Sequence, residues 1–329
     1  MKPLMLLAGV AVVLATAPAA MAKSAQTVAV IGDTPYGATQ LTEFPALVGA
    51  INADPKVGLV LHLGDIKNGS SPCSSEYFGQ IRAQFDSFAD PLVFTPGDNE
   101  WTDCHRASAG GYLPTERLDA VRSAFFPRPG RSLGKRTQRV RSQGRDAEHR
   151  TFVENQLWKT SRTVFAAIHV VGSNNDLAPW FGALETAAQR ELREAEYRTR
   201  LAADLDWLDR TFETAEESDA RAVVLAMQAD MWDAFSQANG LPLNGFDAIV
   251  QRIADLAGEF ERPVLLLQGD SHQFLVDRPL ANGSPVHDVT TQAPNVTRIV
   301  VQGATTAEWL RLRIDPKAAE PFAFERVAR

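Results

Sequence analysis

Four runs of apolar residues in this chain end in Gly-Asp: VAVIGD closing at Asp33, LVLHLGD at Asp65, LVFTPGD at Asp98 and LLLQGD at Asp270. Ordinary aspartate usage would give roughly one or two such pairs by chance. A buried strand ending in a glycine turn delivers the next side chain to the carboxyl edge of a sheet, where open α/β folds keep their sites. Four carboxylates gathered at one edge repel one another strongly unless cations sit among them. The pattern therefore points to a metal site on a layered α/β fold.

The rest of the chain has the alternation such a fold needs. Residues 27–31 form a β-branched run, and 40–52 carry helical spacing through Leu41, Phe44, Leu47, Val48 and Ile51. A strand at 58–63, a helix at 76–88, a strand at 92–95 and a helix at 115–126 follow. From 127 to 150 the sequence is arginine-rich and loses apolar periodicity, which marks a surface excursion. It reads either as a solvated insertion or as an electropositive flap over an anionic substrate. Beyond it come a hairpin from 152–158 and 163–171, a Gly172-Ser173-Asn174-Asn175 turn, and a long charged helix over 184–216 with Leu201, Leu205 and Leu208 on one face. A strand at 222–227, a helix at 246–260 and strands at 264–267, 273–276, 297–301 and 308–314 close the chain.

At the amino terminus, a basic start at Lys2, an apolar stretch from Leu4 to Leu14 and small residues at Ala20 and Ala22 read as a secretory signal over residues 1–22, cleaved after Ala22. The apolar stretch is too short for a membrane span. The expected product, residues 23–329, is one periplasmic or secreted domain. A net charge of -7 argues against a nucleic-acid binder, because neutralising phosphates needs a basic face. The two cysteines, Cys73 and Cys104, each follow a Gly-Asp turn by a few residues. In an oxidising compartment a disulfide between them is expected, the alternative being two free thiols.

In order, the strand-end motifs are Gly32-Asp33-Thr34-Pro35-Tyr36, Gly64-Asp65, Gly97-Asp98-Asn99-Glu100, Met227-Gln228-Ala229-Asp230 and Gly269-Asp270-Ser271-His272. This series resembles the calcineurin-like metallophosphoesterase superfamily, which includes the purple acid phosphatases, with its D-x-H, G-D, G-N-H-E/D, late histidine and G-H-x-H motifs. The resemblance implies a four-layer α-β-β-α sandwich. It also implies two metals about 3.5 to 4 Å apart, with a metal-bound hydroxide attacking a phosphoryl group in line.

Carried over by position, Asp33 and His272 would bind the first metal and Asp65 would bridge the two. Asp98, Gln228 and Asp270 would offer oxygen where the family has asparagine or histidine. Pro35 stands at a histidine place and cannot bind metal. Asn99 replaces the histidine that normally protonates the leaving group, and an amide cannot do that. Exchanging imidazole for oxygen shifts the expected one or two divalent ions toward manganese, magnesium or calcium and away from zinc. Iron enters through Tyr36, which is either a phenolate ligand displaced from its usual motif or an ordinary turn tyrosine.

His105 and Arg106, on the loop after Asn99, are candidates for a proton donor and an anion clamp, or for plain surface residues. His62 and His169 read as core residues with backbone partners. Asn174 and Asn175 are either amide ligands or turn fillers. The expected activity is hydrolysis of a small phosphomonoester or phosphodiester, with no nucleic-acid partner. The alternatives are a weak or inactive metal-binding protein on the same scaffold, and a hydrolase of non-phosphate esters or amides.

Overall fold

The computed structural model describes residues 25–304 and 306–328. The expected signal segment lies outside them. Alternating apolar residues build two sheets. In the first, β1 (Gln26–Ile31), β2 (Val57–His62) and β3 (Leu92–Phe94) run parallel. Two antiparallel strands, β11 (Glu308–Ile314) and β12 (Phe322–Ala328), extend it to the order β12-β11-β1-β2-β3. The second sheet contains β4 (Arg141–Ser142), β5 (Gln156–Thr160), β6 (Thr163–Ala167), β7 (Ala222–Ala226), β8 (Val264–Gln268), β9 (Leu275–Asp277) and β10 (Val296–Val300). Its order is β4-β5-β6-β7-β8-β10-β9, with β6, β7, β8 and β10 parallel.

Period-two alternation assigns each strand residue to a layer. Val28, Val30, Leu59, Leu61 and Val93 meet Phe165, Val224, Leu265 and Leu267 between the sheets. On the outer face of the first sheet, Ala29, Ile31, Val60 and Phe94 pack on helices α1 (Gly37–Ala53), α2 (Ser75–Phe85) and α3 (Pro114–Phe125). A single short turn, α4 (Gly172–Asn175), follows β6. The outer face of the second sheet is covered by α5 (Ala187–Glu217) and, beyond the short α6 (Ala234–Ala238), by α7 (Asp247–Phe260). Helices, sheet, sheet and helices make a four-layer α-β-β-α sandwich, as the resemblance implied. In α1 the buried residues are Phe44, Leu47, Val48 and Ile51, while Pro45 sits on the exposed side. No helix among the described residues is long and apolar enough to cross a membrane.

Three expectations change. The arginine-rich excursion is not simply solvated: Leu133 is buried and bridges Leu92 at the start of β3, and β4 pairs with β5. Arg136 pairs with Asp90 and Arg141 with Asp146. The segment from Leu133 to Arg136 packs on the amino end of β3, opposite to the strand ends that carry the Gly-Asp motifs. The buried face of α5 is centred on Arg200, Ala203, Asp204 and Trp207, with Leu201 and Leu205 only partly covered. His169 is buried, but its ring partner is the buried carboxylate of Glu154 at 2.9 Å, not backbone.

His62 does bond to backbone: its Nε2 lies 2.9 Å from the Thr34 carbonyl, and its ring packs on Phe85 and Phe94. Buried Nδ1 has no partner, so burial holds the imidazole pKa down at about 4. Unfolded His62 takes up a proton near pH 6.5 and the folded residue does not. Stability from this group is therefore lost as pH falls from about 6.5 to about 4, by up to about 3 kcal/mol. Urea unfolding at pH 7 and pH 4 should show a smaller acid loss in His62→Gln than in the parent chain, by roughly that amount.

Cys73 and Cys104 form the expected disulfide, closing the loops after the second and third Gly-Asp motifs. By loop-closure entropy over their sequence separation of 31, the bond should add about 3 to 4 kcal/mol. Denaturant melts of the Cys73→Ser/Cys104→Ser chain test this, and an unchanged midpoint would refute it.

Candidate metal centre

Every parallel strand that carries a motif ends at the same edge of the sandwich. Asp33 follows β1, Asp65 follows β2, Asp98 follows β3, Gln228 follows β7 and Asp270 follows β8. Two backbone bonds and one to a side chain tie these turns together: Asp33 N–H donates to Gly64 O (3.0 Å), Gly269 N–H to Gln228 O (2.8 Å) and Asp270 N–H to the Asp33 carboxylate Oδ1 (3.0 Å). Asp33, Asp65, Asp270 and His272 all adopt left-handed backbone, with φ of 51°, 56°, 72° and 57°. Such conformations are unfavourable for L-residues and gather where a side chain must be aimed. Packing requires glycine nearby. A Cβ on Gly97 would lie 2.1 Å from Asp65 Oδ1, and one on Gly269 would lie 2.5 Å from Asp33 Oδ2.

The result is two overlapping triads, Asp33–Asp65–His272 and Asp65–Asp98–Asp270. Within each, one ligand atom per residue lies within 4.8 Å of the others, and Asp65 belongs to both. Burial, reinforced by Asp98, pushes the Asp65 and Asp270 carboxyls well above the usual range. Burial raises Asp33 too, against the opposing effect of His272. Burial would lower His272, but its hydrogen bond to Asp33 and the charge of that carboxylate outweigh it, and the imidazole is raised. Asp33 Oδ2 is buried with no protein partner. Buried carboxylates with an orphaned oxygen suit hard divalent cations, which would remove the repulsion that raises them.

Residues 26–274 match the sequence model of the family described as calcineurin-like phosphoesterase. The chain belongs to the calcineurin-like phosphoesterase family. Among solved structures, purple acid phosphatase PPD1 from yellow lupin (Lupinus luteus) seeds matches at 10% identity and a TM-score of 0.46, covering 93% of this chain and 54% of that one. The chain thus spans about half the length of the lupin protein. GAP50, described as the anchor in the inner membrane complex of Plasmodium, matches at 9% identity and a TM-score of 0.43, covering 93% of this chain and 89% of that one. No curated protein sequence matches.

Around the triads, positions that depart from the calcineurin-like pattern make hydrogen bonds of their own. Gln228, buried, accepts the Gly172 N–H on Oε1 at 2.6 Å and turns Nε2 toward Asp98 Oδ1 at 3.3 Å. It braces Asp98, while its carbonyl keeps a second lone pair. Asn99 Nδ2 donates to Asp65 Oδ2 (2.6 Å) and to the Tyr36 hydroxyl (2.7 Å). Tyr36 in turn donates to Asp65 Oδ2 at 2.7 Å and lies 3.3 Å from His272 Nε2. Burial first, then Asp65, pushes the Tyr36 phenol well above its ordinary value. Tyr36 is therefore no ordinary turn residue; its hydroxyl sits on the carboxylate that both triads share.

His105 Nδ1 lies 2.7 Å from Thr102 O, and its ring meets the edge of Phe181. It makes no hydrogen bond to the carboxylates among the described residues, and burial lowers its pKa. Arg106 pairs with Asp103 at 2.7 Å. Arg106 Nη1, Asp103 Oδ2 and Asn99 Oδ1 converge where a Cβ on Gly69 would fall, so Arg106 reaches the rim of the centre beside Asn99.

Three further residues were not singled out from sequence. Ser173 Oγ donates to Asp98 Oδ2 at 2.7 Å, whereas Asn174 and Asn175 turn away to Asn244 and Gly245 as fillers of a left-handed turn. Glu100 Oε1 accepts the N–H groups of Asp65 and Gly97, and burial raises its carboxyl to about 7. Buried Lys67 donates to Asn99 O at 2.6 Å. Only Glu100 carried a signal, as the acid of the family's G-N-H-E motif.

The packing at Gly97 supplies a test that deletes no ligand. Gly97→Ala should displace Asp65 and lower bound divalent metal by about tenfold or more, a loss of the size seen when support around a metal site is removed. Elemental analysis of the dialysed protein, with circular dichroism to check folding, decides it.

Proposed function

We propose that this chain is an exported metal-dependent phosphoric ester hydrolase acting on a small phosphomonoester or phosphodiester. The observation that carries the reading is the sharing of Asp65 by two triads at one sheet edge. Asp33, Asp65 and His272 would hold one divalent ion, and Asp65, Asp98 and Asp270 a second. Their oxygen-rich chemistry favours manganese, magnesium or calcium. Bound there, such ions would polarise a phosphoryl oxygen and lower the pKa of a water.

The chain's own groups have the following roles. Gln228 and Ser173 orient Asp98 from two sides. Asn99 and Tyr36 fix Asp65 by donating to the same oxygen. Arg106, held by Asp103 at the rim, would meet an anion. With Nδ1 donating to Thr102 O, His105 has Nε2 available for a proton. The disulfide agrees with an oxidising compartment, and so with cleavage after Ala22.

A second reading, a catalytically weak binding protein on this scaffold, is favoured by one observation. Asn99 uses its amide on Asp65 and Tyr36, and an amide cannot protonate a leaving group. Two ions per chain support the hydrolase, and one or none the binding protein. With manganese added, the protein should hydrolyse p-nitrophenyl phosphate or its bis-ester. Asp65→Ala should lose metal and activity together, by more than the 10–100-fold typical of losing an outer-shell partner. A flat result across metals and both esters would overturn the hydrolase reading.

A further inference from the structure

Beside Asp270 the surface opens into a cavity of about 380 Å³, within the range of small-molecule sites. Its inner wall is Gly172, Ser173 and Asp270. A Cβ on Gly172 would lie 2.9 Å from both Asp270 Oδ2 and Asp98 Oδ2, so the cavity ends about one methyl group from the carboxylate cluster. Its outer wall is apolar: Phe235 on α6, then Leu241, Leu243 and Phe246. Phe235 is 66% and Leu241 49% exposed, and leaving such side chains in water forfeits burial energy that a ligand lying across them would recover. Asp233 fixes the approach of Phe235, because its carboxylate caps α6 by accepting the N–H groups of Phe235 and Ser236.

Charge narrows the ligand. Asp233 and Asp270 line the cavity together with Asp230, which pairs with Arg298, and no lysine, arginine or histidine lines it among the described residues. A leaving group with its own phosphate or carboxylate would face Asp233 and Asp270 with only neutral serine and asparagine groups beside them and no lining cation to offset its charge. Resting on the phosphoesterase reading above, we propose that this cavity is the leaving-group subsite. The substrate would be the phosphate ester of an uncharged alcohol with an aromatic or other apolar body, which lies against Phe235 and Leu241 while the phosphate faces the carboxylate cluster.

The test uses the full exported chain loaded with manganese, its Phe235→Ala and Leu241→Ser variants, and two pairs of probes. Calorimetry compares phenylphosphonate with methylphosphonate, and kinetics compare phenyl phosphate with glycerol 2-phosphate. Phenylphosphonate should bind about tenfold more tightly than methylphosphonate, as expected for covering one aromatic face. Each substitution should cut that preference several-fold and lower the phenyl-to-glycerol ratio of kcat/KM in step. If the chain hydrolyses neither ester but keeps a Phe235-dependent phosphonate preference, the hydrolase reading fails and the subsite stands. Equal binding of the two phosphonates, binding of neither, or a preference that survives both substitutions overturns the subsite, whatever the turnover.

Discussion

Repulsion among buried carboxylates is the constraint around which this molecule is arranged. Buried Asp33, Asp65 and Asp98 and half-buried Asp270 come from strands of both sheets and meet at one edge. The sandwich offsets this unfavourable encounter with two apolar sheets packed face to face, whose parallel strands all end at one edge. Left-handed backbone at Asp33, Asp65 and Asp270 turns each carboxylate inward. Such a site is poor as plain structure and sensible as a cation receptor.

Around the carboxylates lies a second layer that holds them in place. Glu100 binds the backbone of Asp65 and Gly97, Lys67 binds the carbonyl of Asn99, and Gln228 and Ser173 grip Asp98. Where the resemblance implies imidazoles, this chain has Pro35, Asn99, Gln228 and Asp270, and the two amides among them bond to neighbouring carboxylates, Asn99 to Asp65 and Gln228 to Asp98. The exchange changes the hardness of the donors and also rigidity, since Asn99, Tyr36 and Asp65 form a closed set of short contacts. His105, on the loop after Asn99, is turned toward Thr102 and Phe181.

Much of this was legible in the sequence because strand-end motifs are local. A glycine turn after an apolar run fixes where one side chain goes, and four in family order fix a shared edge. Helical spacing in α1 was readable for the same reason. What escaped depends on long-range contact. Tyr36 could be placed beside Asp65 only once β1 and β2 were paired. Ser173 and Asn174 have equal claims as turn residues, and only the left-handed path of α4 decides which faces Asp98. The carboxylate partner of His169 lies 15 residues back, across the β5–β6 hairpin. β12, FAFERVA, lacks the buried run that marks the others: a charged pair interrupts its apolar residues, and most of its positions are exposed.

The bridge between Cys73 and Cys104 also bears on how the centre comes and goes. It joins the segments just past Asp65 and Asp98, two acids of one triad whose like charges repel. A covalent clasp there is indifferent to ionic conditions. It would hold the two loops together with or without a bound ion. The shape of this edge is thereby tied to a covalent bond and not to occupancy alone.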